Sequence, residues 1–366
     1  MLHMFMDESV AKGLASRVIQ HFKETDLAMM ERAARYDAQH PPIFYKRGKW
    51  ESYARGMTGL LEPTMLRVSE AGGKRHRLVC IQHLYTDKNR TTEWDEDAVH
   101  LTCSYIPQMR RIRAERIDRA ILGPHALARI IERQPFPGWA QAGAPALFEH
   151  ALGAVSRECR SVGAWSAALF ILLQPFIDED PQKSFRYAIP TPGGLLIAGT
   201  HGNRDLCSVR TFVSNQQLSD SQKRIKAELL RAMTPELNDT IAALVFSRMD
   251  FNESVAMALN VFFARVREIM PLWLGMCRFK MPREEFNEIR RQAVSRCERY
   301  ARPDLDALYE RHGLGTLSWA LDNSQMLLNR LKHGKSAVAP NGAVFASQGD
   351  EQEIITLAPS QLRPTF

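Results

Sequence analysis

Between Ser184 and Ser214 three apolar runs alternate with strong turn chemistry, and this segment restricts the possible folds more than any other. Phe185-Arg-Tyr-Ala-Ile is followed by Pro190-Thr-Pro-Gly-Gly. Leu195-Leu-Ile-Ala-Gly-Thr comes next, then His201-Gly-Asn-Arg, then Leu206-Cys-Ser-Val-Arg-Thr-Phe-Val. Proline fixes φ, glycine frees it and Gly-Asn favours reversal, so the spacing predicts three antiparallel strands. Strict alternation along the last strand places Cys207, Val209, Thr211 and Val213 on one face. Leu206, Ser208, Arg210 and Phe212 then share the other.

Upstream, Met65 to Val68, His76 to Tyr85 and Ala98 to Ile106 also read as strands, giving a second antiparallel meander over 65–106. Helical spacing marks residues 8–38, stopped by His40-Pro41-Pro42. Helices are expected at 146–160, after Ser219, near Pro235, at 252–270, at 282–300 and at 303–333 with a break at Gly313-Leu-Gly315. In the 252–270 helix, Val255, Leu259, Phe262, Val266 and Ile269 mark one apolar stripe. The apolar run from Trp165 to Leu173, which stops at Gln174-Pro175, is open between helix and strand. The fold class is therefore α+β: antiparallel sheet segments in the N-terminal and central regions, then a C-terminal helical bundle. Four regions are expected: 1–107, an N-terminal α+β region; 108–232, a central basic helix plus meander; 233–335, helical; and 336–366, an irregular tail with one strand at Glu353 to Leu357.

Chemistry concentrates between the two meanders. Arg110, Arg111, Arg113, Arg116 and Arg119 make the densest basic patch in the chain. Read as a helix, this segment can track a phosphate backbone; the alternative is a solvated face paired with Glu115 and Asp118. Directly after it, Gly123-Pro124 opens a helix in which His125, Arg129 and Arg133 fall at i, i+4 and i+8 on one stripe. An imidazole exchanges protons near neutral pH and guanidiniums hold phosphate oxygens, a combination suited to RNA cleavage. The competing reading is a surface helix whose His and Arg are solvated or paired with Glu132. A further aromatic and basic stretch at 43–62 reads either as a stacking platform for single strands or as core aromatics with bases outside.

The net charge of +7, from 48 bases against 41 acids, is a mild signal that favours acidic partners, nucleic acid first. The cysteines (Cys80, Cys103, Cys159, Cys207, Cys277 and Cys297) form no CxxC pair, and the other histidines lack zinc spacing. No metal or cofactor is expected. Asp178-Glu179-Asp180 reads as an exposed turn rather than a metal site, and Gly334-Lys335-Ser336 lacks the upstream glycine of a phosphate loop because Asn329 stands there. Scattered thiols, no signal-like N-terminus and no apolar run long enough to span a bilayer lead to the expectation of a cytoplasmic protein without membrane contact.

His125, Ala126, Arg129 and Arg133, followed by Ile189 to Ala198 and then Arg210-Thr211-Phe212, resemble the toxin-type ribonucleases of the barnase, colicin E5 and RelE-like superfamily. The resemblance covers about residues 115–215 and departs from the family in its longer insertion from Val155 to Lys183. It implies metal-independent RNA cleavage, with His125 as acid or base, Arg129 and Arg133 as phosphate clamps and Thr211 as a polar partner. The flanking regions would serve substrate choice or control by a protein inhibitor, or other partner, on the C-terminal helices. The expected function is thus a basic cytoplasmic protein acting on nucleic acid, RNA favoured, as a toxin or defence ribonuclease. The alternative is a non-catalytic nucleic-acid- or protein-binding regulator or adaptor.

Overall fold

The computed structural model describes residues 5–39, 65–71, 78–86, 97–107, 115–160, 162–179, 185–201, 204–242, 253–276, 278–279 and 282–323, together with 52, 55–56, 326–327, 329, 337–338 and 344–345. Along these residues the elements are α1 (Glu8–Gln39), β1 (Met65–Ala71), β2 (Leu78–Tyr85), β3 (Val99–Pro107), β4 (Glu115–Leu122), α2 (Pro124–Glu132), α3 (Ala144–Cys159), α4 (Val162–Glu179), β5 (Phe185–Thr191), β6 (Gly194–His201) and β7 (Arg204–Ser214). They continue with α5 (Asp220–Ala232), α6 (Pro235–Ala242), α7 (Glu253–Val266), α8 (Met270–Met276), β8 (Arg278–Phe279), α9 (Arg283–Tyr300), α10 (Pro303–Asp322), β9 (Ala337–Val338) and β10 (Val344–Phe345). The chain is α+β.

Eight strands form one mixed sheet in the order β1-β2-β3-β4-β7-β6-β5-β8. Both meanders are antiparallel, and they meet at a single parallel seam where Ala120, Ile121 and Leu122 of β4 pair with Cys207, Ser208 and Val209 of β7. The sheet therefore runs through the expected boundary at 107/108, because β3 and β4 are hydrogen-bonded neighbours. One buried cluster extends from Met6 to Leu317, and Ala337 of β9 belongs to a separate one with Ala320 and Leu327.

The arginine-rich segment corrects the helical expectation. Arg116 and Arg119 lie in strand β4; Arg110, Arg111 and Arg113 fall outside the described residues. The deciding pattern is at its C-terminal end, where Ala120 and Leu122 are fully buried two positions apart and join the main core. Burial of a period-two pair against a neighbouring strand outweighs a loose helical spacing of charges. A register shift between Leu101 and Thr102 leaves Arg119 without an opposing residue on β3.

Trp165 to Leu173 is helical, and its helix continues through Pro175 to Glu179, so Asp178 and Glu179 close a helix rather than form a free turn. Trp165 packs edge-on against Phe262 and Trp273, with ring centroids 5.4 Å and 5.2 Å apart. The Trp273 indole N–H donates to the Ala188 carbonyl at 2.7 Å, which fastens α8 to β5. Helix α7 is more enclosed than a single stripe implies: every residue from Ala256 to Phe263 is buried. It is a central helix wrapped by α6, α9 and α10. Helix α10 bends at Gly313, whose φ of 72° requires the left-handed region. In the tail expected to be irregular, β9 and β10 pair as a short ladder, and Glu353 to Leu357 lies outside the described residues. Most of the 43–62 stretch does too.

Candidate functional site

Helix α2 starts at Gly123, which offers no side-chain cap, with Pro124 in the first turn where its missing N–H costs nothing. Ala126, Leu127, Ala128, Ile130 and Ile131 are buried and join the main core, packing the helix between α1 and the β4–β7 seam. The opposite stripe carries the three expected site residues, and their environments differ. His125 is exposed, with no hydrogen-bond partner among the described residues. Arg129 donates to Glu132 at 2.6 Å and lies 3.5 Å from Glu8 at the start of α1. The hydrogen bond it donates to Glu132 is the main reason that its guanidinium pKa is held above its ordinary value. Arg133, at the C-cap, donates from Nη1 to the carbonyl oxygen of Phe212 in β7; burial pulls its pKa down.

Thr211 is separated from this group. The register shifts between Ile197 and Ala198 of β6: Ala198 pairs with Val209 and Ile197 with Thr211, which leaves Arg210 as an inserted residue in β7. The insertion reverses the side-chain parity that plain alternation predicts. Cys207, Val209 and Phe212 all face the main core, whereas Val213 packs with Ala188, Leu195 and Leu218 in a smaller cluster on the other face. Thr211, paired with Ile197 of that second face, is turned away from the cluster that α2 joins. The expected four-residue set is therefore split: two arginines are engaged in internal contacts, the histidine is open to solvent, and the threonine lies on the opposite sheet face.

A second polar cluster, built around a fully buried carboxylate, lies one helix further on and is absent from the expected site residues. Glu158 of α3 is fully buried. Its Oε1 accepts from Gln134 Nε2 at 3.0 Å and from Arg157 Nε at 3.2 Å, and its Oε2 accepts from the Gly193 amide at 3.0 Å. Arg157 also donates to Gln134 Oε1 at 2.9 Å. From α5, Lys226 reaches the same hairpin turn and donates to the carbonyls of Thr191 and Pro192 at 2.9 Å and 3.0 Å. Burial lowers the Lys226 pKa, and the Glu158 charge partly opposes that. A side chain at Gly193 would place Cβ 2.1 Å from Gln134 Nε2, so close approach rather than unusual φ demands glycine there. These hydrogen bonds join α3, α5 and the residue after α2 to one hairpin, so the set acts as a clamp on the β5–β6 turn. Its signal in the sequence was a charged residue at a core phase of each helix: Glu158 beside Val155 and Cys159, and Lys226 beside Ile225 and Leu229.

The described thiols offer no nucleophile. Burial raises the pKa of Cys159, Cys207 and Cys297, that of Cys207 to about 11, which keeps them protonated at neutral pH. Among the described residues, no three His, Cys, Asp or Glu side chains are grouped to hold a metal ion, and no helix is long and apolar enough to cross a membrane. No protein-family model matches the chain, and neither the curated proteins nor the solved structures contain a match.

Proposed function

We propose that this chain is a basic nucleic-acid-binding protein, with RNA the favoured ligand, in which α2 is a structural helix and not a cleavage site. The observation that carries this reading is the commitment of Arg129 to Glu132 and Glu8 and of Arg133 to the Phe212 carbonyl. Guanidiniums spent on internal acceptors cannot also clamp a scissile phosphate without losing those contacts. The excess of seven positive charges and the Arg110 to Arg119 segment support a polyanionic ligand, bound mainly through its backbone. The test is binding of labelled single-stranded RNA across a salt series. Replacing Arg110, Arg111 and Arg113 with alanine should weaken binding and flatten the dependence of log K on log salt. His125→Ala should leave affinity unchanged. No retention of RNA at physiological salt would remove the reading.

One observation favours a second reading: His125, exposed and without a hydrogen-bond partner among the described residues, is reachable by a substrate. Under that reading the protein cleaves RNA without a metal as a toxin or defence ribonuclease, and His125→Ala abolishes cleavage while thermal unfolding is unchanged. A protein inhibitor or partner on the C-terminal helices finds less support, because α7 spends its apolar surface on neighbouring elements.

A further inference from the structure

On the face where α1 meets α3, Arg17 is exposed and lies over the ring of Phe148, its guanidinium carbon 5.6 Å from the ring centroid. His21, one turn along α1, meets the same ring edge-on at 5.4 Å. Phe148 is half-buried and packs against the main core, so the ring is a fixed floor rather than a mobile side chain. Arg17 forms no ion pair with a carboxylate among the described residues, in contrast to Arg129, Arg265 and Arg302, each of which is paired with one. The neighbouring helical positions do not neutralise it: Gly13 and Ser16 are uncharged, and Gln20 binds Glu24.

A guanidinium seated over an aromatic ring loses part of its freedom before any ligand binds, and the exposed side of Arg17 remains open to one. Nucleic-acid bases stack on guanidinium planes, whose N–H groups hydrogen-bond to base edges or phosphate oxygens. A carboxylate ligand would satisfy the charge but leave the planar surface unused, so a ligand that is both planar and anionic fits better. We propose that Phe148, Arg17 and His21 form a stacking step for one base of a single-stranded nucleic acid. This inference rests on the nucleic-acid reading above and gives it a specific contact.

The experiment is fluorescence anisotropy of the full chain with a short labelled single-stranded RNA, comparing the wild type with Arg17→Ala, Arg17→Lys and Phe148→Leu. Arg17→Ala is expected to lower affinity about tenfold, in keeping with the loss of one stacked base. Arg17→Lys keeps the charge but not the plane, so it should remain weak while retaining the wild-type salt dependence. Phe148→Leu should weaken binding similarly, with a melting temperature measured alongside. Wild-type binding with undiminished affinity in both Arg17 variants would overturn the stacking step and leave the nucleic-acid reading standing. Full recovery by Arg17→Lys would also overturn it, since charge alone would then suffice. Absence of binding by the wild type would overturn both.

Discussion

The carboxylate of Glu158 accepts the backbone amide of Gly193 at 3.0 Å from a fully buried position, joining helix α3 to the tip of the β5–β6 hairpin. Glu158→Ala removes three accepted hydrogen bonds and the negative charge that offsets buried Lys226. A loss of about 3 kcal/mol or more is expected, because a buried charge left uncompensated is costly. Adding Lys226→Met to that variant should restore part of the loss. Chemical denaturation of the two single variants and the double variant measures the coupling; strict additivity would show that the two residues act independently.

Gly193→Ala should be harmful for a separate reason. The new Cβ would lie 2.1 Å from Gln134 Nε2 and 2.7 Å from Glu158 Oε1, and both atoms are fixed by their hydrogen bonds. Overpacking of this kind costs about 1–3 kcal/mol. Truncating Gln134 to Gly in the same chain should relieve part of it, as read by the shift in the denaturation midpoint.

The two arginines of α2 should respond unequally to replacement by alanine. Arg133→Ala leaves the largely buried Phe212 carbonyl without that donor and is expected to cost about 1–2 kcal/mol. Arg129→Ala removes partly exposed pairs with Glu132 and Glu8 and should cost under about 1 kcal/mol, less in high salt. Thermal melts at two ionic strengths distinguish them. Equal losses would contradict the assignment of Arg133 to the strand backbone.

His150 stacks on Phe136 with ring centroids 4.3 Å apart and an angle of 10° between planes. Burial, and then the nearby Arg157 charge, hold its pKa below the ordinary 6.5. The unfolded chain therefore takes up this proton first as pH falls. Stability is fully retained above about pH 6.5 and declines below it until the folded imidazole also titrates. His150→Phe should flatten this part of the stability–pH curve between pH 7 and 5; a curve of unchanged slope would exclude the contribution.

Legibility in the sequence followed the range of the interaction. Helix α1 was readable because Leu14, Val18, Ile19 and Phe22 repeat at helical spacing and all four are buried. Ser219 and Gln222 announced α5 through a local capping box that the structure contains. Both meanders were visible from alternation and turns. The side assigned to Thr211 was not, because the inserted Arg210 is defined by the register of β6, and no local pattern in β7 marks it. The strand character of the β4 arginines is hidden for a related reason: it depends on Ala120 and Leu122, whose partners Cys207 and Val209 come much later in the chain. Glu158 and Lys226 likewise meet at a turn that neither helix sequence contains.

The parallel seam between β4 and β7 also bears on how the chain reaches this structure. Within each meander the paired strands are consecutive in the chain, so much of its pairing is inexpensive in chain entropy. The seam joins strands that are separated in the chain by α2, α3, α4 and two further strands, and Ala120, Leu122, Cys207 and Val209 are core residues on both sides of it. Long-range closure of this kind is the slow part of assembling such a topology. Until it happens, each half presents an open apolar strand edge, so the seam residues are where a partly folded chain is most prone to pair with another copy of itself.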